Sequence, residues 1–348
     1  MSLLASLPQE LIWVIFAFAF LYGAIFGSFS SVIIHRLKSN ETWILWGRSH
    51  CPKCNTNLKF YDLIPIFSWI STFWKCRYCK TKISYIYPIL ELSSAIIFTL
   101  VWIFLIDTNL LFLWNINEII KLIFWLSISF ITIIYIFYDI LFLEIHEWVM
   151  LTWIIIAFLW LIWNAFWLDL IQTVLTNNEL NIKENIYSIP LSISILWALY
   201  IIMLKELDLI YDILLLWLII WSLILFKLIF NVELWNFSII NWVIWSVSIF
   251  IFFYLQIVLS KGRALWWWDL RIWIMIWLLL WISYSFAWMM ITYIVWSIIS
   301  ILIITYQKFI QKNKKILTVV PFGPFLWVWF LITVLFQNYI INIIEIYF

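Results

Sequence analysis

The sequence predicts an all-α polytopic membrane protein of about ten transmembrane helices with one small cytoplasmic loop domain. Three observations carry this. Of 348 residues, 67% are hydrophobic and only 11% charged, against about 25% charged in a soluble domain. Mean hydropathy is +1.07. Apolar runs near the length of roughly 20 residues that crosses a hydrocarbon core recur along the chain.

Read in order, the runs place spans near 11–34, 89–106, 122–138, 148–168, 190–204, 209–230, 239–259, 272–286, 288–306 and 322–343. The start, Met1 to Glu10, lacks the basic region of a cleavable signal, so the first span is expected to persist. This divides the chain into a first span at 1–34, a hydrophilic loop domain at 35–88 and a multi-span region at 89–348.

Charge orients the spans. The loop 35–88 carries nine basic residues (Arg36, Lys38, Arg48, Lys53, Lys59, Lys75, Arg77, Lys80, Lys82) against Glu41 and Asp62. Basic residues in short loops stay in the cytoplasm, which puts this loop inside and the N-terminus outside. Alternation then places 260–271 and 307–321 inside, where Lys261, Arg263, Arg271, Lys308, Lys312, Lys314 and Lys315 follow the same rule. The expected outside loop 169–189 has Asp169, Glu179 and Glu184 against Lys183 alone. The net charge of +2 identifies no partner, and nothing points to nucleic acid.

Composition carries one anomaly, 29 Trp against 5 Gly, where ordinary usage would give roughly 24 glycines. The chain is otherwise rich in residues with AT-rich codons, a bias that makes Trp rare. Translating UGA as Trp, in a lineage that reads it as Gly, produces this imbalance. An interfacial aromatic belt is the alternative, but many of these residues are mid-span and three are consecutive, Trp266-Trp267-Trp268. Recoding accounts for more of the pattern, with Trp69 an expected exception.

All four cysteines lie in the loop domain, as Cys51-Pro-Lys-Cys54 and Cys76-Arg-Tyr-Cys79. Two such knuckles can close a thiolate tetrahedron around zinc. Disulfides are the alternative, disfavoured in a reducing cytoplasm. A small loop with few apolar residues also needs a staple. The expectation is a structural, zinc-ribbon-like site with no open coordination position.

Acidic residues at span edges are functional candidates because a carboxylate is costly to bury. Asp139 ends the third span and Asp269 begins the eighth, both on the cytoplasmic side of the expected topology. Two carboxyls held close share a proton, so one activates water while the other protonates the scissile amide. Taken singly, each is more often a cap or a satisfied surface charge. Asp62, Asp107, Asp169, Asp208 and Asp212 are read as solvated, although Tyr211-Asp212-Ile-Leu echoes Tyr138-Asp139-Ile-Leu. His146 is read as structural.

These motifs together resemble the type IV prepilin peptidases, which are membrane aspartic proteases. The resemblance runs through Gly27-Ser28-Phe29 to Arg36, Arg48-Ser49-His50-Cys51-Pro52-Lys53-Cys54, Tyr61-Asp62 to Ser68-Trp69, and Tyr87-Pro88-Ile-Leu-Glu91, and closes on Pro321-Phe-Gly323-Pro324-Phe325. It implies catalysis by Asp139 and Asp269 at the cytoplasmic face of the bacterial inner membrane. It also implies cleavage of short basic leaders from type IV prepilin or pseudopilin precursors, and N-methylation of the new terminus by S-adenosylmethionine.

The chain departs from the family pattern in several places. His146 and Glu147 stand where Pro and Asp are usual, and Trp266 to Trp268 replace motif glycines before Asp269. The two aspartates are 130 positions apart, roughly twice the usual interval, which fits a two-span insertion at about 190–230. Ser31 and His35 stand for the usual Asn and Tyr, in the region associated with methylation. A membrane scaffold or transporter with a zinc-ribbon docking loop is the alternative, and it gives no reason for Asp139 and Asp269 to converge.

Overall fold

The computed structural model describes residues 9–39, 47–142, 146–176, 180–204, 209–230, 238–260 and 323–336, with isolated positions between 270 and 305. Among these the chain is helical, with two isolated antiparallel bridges and no strand. The helices are α1 (Gln9–Ser39), α2 (Phe67–Ser71), α3 (Ile86–Leu105), α4 (Thr108–Phe112), α5 (Ile116–Phe142), α6 (Glu147–Thr176), α7 (Leu180–Leu204), α8 (Leu209–Phe230), α9 (Ser238–Ser260) and α10 (Gly323–Leu335).

Four of them, in α1, α3, α5 and α8, are long and apolar enough to cross a membrane, and shorter apolar helices cover Glu147–Trp163, Ser188–Met203 and Val243–Leu259. The chain is an all-α polytopic membrane protein. Eight of the ten expected spans coincide with a helix, whereas 272–286 and 288–306 lie outside the described residues except at isolated positions. Helix α1 runs past the expected boundary at 34 to Ser39, because Arg36 and Lys38 favour the negative end of the helix dipole. Helix α7 likewise begins well before Pro190 and continues through it.

The chain forms two compact units, Met1–Val149 with Trp327–Phe348, and Met150–Leu326. In the first, α1 and α3 pack backbone against backbone. A β-carbon on Gly23 would meet Ser94 O at 2.7 Å and Ala95 Cα at 2.8 Å, and one on Gly27 would meet Glu91 Cα at 2.7 Å. Small residues four apart let membrane helices approach this closely. Gly27→Val forces the helices apart, so we expect a loss of about 1–3 kcal/mol or more, checked by thermal unfolding of the detergent-solubilised protein.

In the second unit, Asp212 is buried at 1% exposure, and the Tyr254 hydroxyl donates to its Oδ2 at 2.8 Å. The expectation of a solvated Asp212 is therefore corrected. Its position one turn into α8 faces a tyrosine from α9, a partnership that span-edge position alone does not reveal.

Two described tryptophans bear on recoding. Trp74 and Trp114 hold φ of +49° and +57°, each just beyond a helix C-terminus, where the left-handed cap is usually glycine. Trp266 to Trp268 lie outside the described residues. Peptide mass spectrometry of the native protein is expected to find positions 74, 114 and 266–268 lighter by the difference between an indolylmethyl group and a hydrogen. Intact Trp at 266–268 would sink the recoding reading.

Candidate functional site

The loop domain is built on two knuckles of the same design, 25 positions apart. The Cys51 amide donates to Thr56 O at 3.0 Å and the Asn55 amide to Cys51 O at 2.8 Å. In the second knuckle Cys76 donates to Thr81 O at 2.8 Å and Lys80 to Cys76 O at 2.9 Å. Asn55 and Lys80, each following the second cysteine of its pair, turn the chain at φ of 53° and 58°. Asn tolerates this conformation better than Lys does.

The knuckles bring the four sulfurs together. The possible ligand atoms of Cys51, Cys54, Cys76 and Cys79 all lie within 4.8 Å of one another, with Cys51 and Cys79 Sγ 3.9 Å apart. Sulfurs at about 2.3 Å from a tetrahedral zinc would stand roughly 3.8 Å apart, so the cluster could hold such a metal. The cysteines are free rather than bridged. Burial pushes the Cys51 thiol up to about 11, whereas the Thr81 hydroxyl draws Cys79 down to about 6, and Thr56 lowers Cys54 in the same way.

Asp62 locks the turn Phe60–Asp62 onto the second knuckle. Its Oδ1 accepts from Arg77 Nε at 2.8 Å, and its Oδ2 accepts from the Tyr78 hydroxyl at 2.9 Å and the Lys59 amide at 3.2 Å. Burial alone would raise this carboxyl, yet Tyr78, the Lys59 amide and Arg77 hold it below the ordinary carboxylate range. Asp62 is thus a structural anchor, not the solvated loop charge expected from sequence. Asp62→Ala should weaken the loop by about 1–3 kcal/mol, seen as faster metal loss to a chelator.

A cavity of about 410 Å³ opens between this domain and the ends of α1 and α3. Ser31, His35 and Arg36 line it from α1, Trp69 from α2, and Tyr87 and Glu91 from α3. Arg36 is buried, and so is the Trp69 indole N–H, which has no acceptor among the described residues. Glu91, also buried, takes the Ile66 amide at 2.6 Å. Sequence reasoning assigned Glu91 no role, although a glutamate within an apolar span was the signal.

Asp139 lies in the last turn of α5. It is half-buried and holds no hydrogen bond or ion pair among the described residues. His146 stands just before α6, its ring edge-on to Tyr138 at 5.7 Å and its Nδ1 buried without a partner among the described residues. Burial lowers this imidazole, with the charge of Glu147 acting the other way. Asp269 lies outside the described residues. The structure therefore gathers the four cysteines, places Asp139, and gives no separation for the aspartate pair.

Comparison with known proteins matches residues 21–105 to the Bacterial Peptidase A24 N-terminal domain. A protein of Aeromonas salmonicida named Prepilin leader peptidase/N-methyltransferase is 31% identical, over 28% of this chain and 42% of its own length. Proteins of the same name from Vibrio cholerae and Myxococcus xanthus are 42% identical over 23% of this chain and 34% of that protein, and 36% identical over 27% and 28%. The chain thus spans less than half the length of each of these relatives. No solved structure matches. The similarity thus lies in the segment carrying most of α1, the four-cysteine loop and α3, which resembles the N-terminal domain of bacterial A24 peptidases and proteins named Prepilin leader peptidase/N-methyltransferase.

Proposed function

We propose that this protein is a membrane aspartic endopeptidase. It removes the short basic leader of type IV prepilin-like precursors at the cytoplasmic face of the bacterial inner membrane. The observation that carries this reading is Asp139. A half-buried carboxyl at the end of a membrane span is costly to keep, and Asp139 bonds to nothing among the described residues. A scaffold gives no reason to retain it.

In the proposed chemistry Asp139 and Asp269 share one proton. The ionised carboxyl takes a proton from water as its oxygen adds to the scissile carbonyl carbon. The protonated carboxyl then gives its proton to the amide nitrogen as the C–N bond breaks. Co-expression with a prepilin precursor tests this, the N-terminus of the product being read by mass spectrometry. A precursor that keeps its leader would overturn it.

Methylation of the new N-terminus is a second reading, favoured by the cavity. Arg36 could pair with the carboxylate of S-adenosylmethionine, Glu91 with one of its cationic centres, and the Trp69 N–H with an adenine acceptor, so the lining fits the group. Bound there, it would supply the methyl group. Ser31 and His35, two of the departures from the family pattern, also line this cavity. Zinc in the cysteine cluster has a structural role, since no cysteine is assigned to substrate.

A further inference from the structure

The four-cysteine domain is built inside out. Among residues 47–85 only Cys51 and Cys76 are buried. Ser68 and Trp69 of α2, with Thr72 just after it, line the cavity, whereas Phe67 and Ile70 do not. Phe67 is 64% exposed, Ile70 56% and Phe73 73%, with Ile64 exposed one turn earlier. The Ser68 amide donates to Ile64 O at 3.0 Å, which ties the turn before α2 to its first residues. Phe67 and Ile70 are three apart on α2 and so neighbours on its surface, and Lys59 and Lys75 flank the segment in sequence. A domain held in water would turn these side chains inward.

The tie to α3 fixes the depth of these side chains. Ile66 caps α2 at φ of 62°, a strained value for a β-branched residue. Its amide is held by the Glu91 carboxylate at 2.6 Å. Helix α3 has 20 residues, about 30 Å, and needs all of that to cross a core of roughly 30 Å. Glu91 stands five residues past Ile86, about 7.5 Å into the helix. A carboxylate reaching from there holds the start of α2 level with the membrane boundary. The loop is also tethered to a span at each end, and its cations outnumber its acids.

We propose that the exposed apolar side chains of Ile64, Phe67, Ile70 and Phe73 lie in the headgroup–acyl boundary of the bilayer, with the flanking lysines at anionic headgroups. The domain is then a membrane-surface module that lies against the lipid. A precursor leaving the bilayer would meet it without crossing open solvent.

The test uses the full-length protein in phosphatidylethanolamine–phosphatidylglycerol vesicles, and no cleavage activity enters it. A membrane-soluble carbene reagent, photoactivated and read by peptide mass spectrometry, is expected to label 64–73 at least several-fold more than 48–59. Equal labelling would overturn the proposal. Benzoylphenylalanine in place of Phe67 or Ile70 should crosslink to lipid, and in place of exposed Lys80 should not. Crosslinks from 67 and 70 to a second copy, or to another segment of this chain, would show a protein interface and overturn it. Metal content of each variant reports whether the domain is folded.

Discussion

Asp139→Asn and Asp269→Asn are each expected to lower leader cleavage by about 10²–10⁴-fold or more, with the protein still inserted and its metal retained. Asparagine keeps the shape of the side chain and removes its proton chemistry. Asp139 bonds to nothing among the described residues, so its replacement leaves none of their groups unsatisfied, and retained insertion and metal separate a chemical loss from a folding one. Asp212→Asn is the contrasting case. That carboxyl is occupied by Tyr254 in a buried site, so its replacement should lower stability and spare cleavage per folded molecule. The assay is the N-terminal mass of a co-expressed precursor. Normal processing by either the Asp139 or the Asp269 variant would remove that residue from the catalytic role.

The spans were legible because lipid demands long apolar runs, and a run such as 209–230 reappears as α8 with the same bounds. The cysteine cluster was legible because two knuckles have few alternatives to a shared metal. The acidic residues were not, since exposure and partners are tertiary properties. Asp62 reads as a polar loop residue until Arg77 and Tyr78 fold onto it, and Asp212 reads as a span edge until Tyr254 reaches it from α9. Glu91 met the same rule that singled out Asp139, a carboxylate in an apolar span. Its partner is the backbone of Ile66, 25 positions earlier, and no side-chain pattern announces a backbone partner. The cavity escaped notice for a related reason, being assembled from α1, both knuckles, α2 and the start of α3.

The purified protein is expected to carry one zinc, bound by Cys51, Cys54, Cys76 and Cys79, and to lose the fold of residues 47–85 when the metal is removed. The loop has no apolar interior to fall back on, because the only buried residues of that segment are Cys51 and Cys76, two of the ligands themselves. What remains is a set of short turns, the Asp62 anchor and the Glu91 tether, each of the order of about 1–3 kcal/mol. A structural zinc contributes roughly 10–16 kcal/mol in small peptides, several times any one of them. Hydrogen exchange after chelation should then show 47–85 exposed while α1 and α3, held by the Gly23 and Gly27 contacts, stay protected. Cys51→Ser should mimic the chelator. Metal analysis without zinc, or a metal-free chain that keeps the loop protected, would mean that the sulfurs are gathered by the turns alone. The Asp62 anchor and the Glu91 tether would then be the elements that hold the domain.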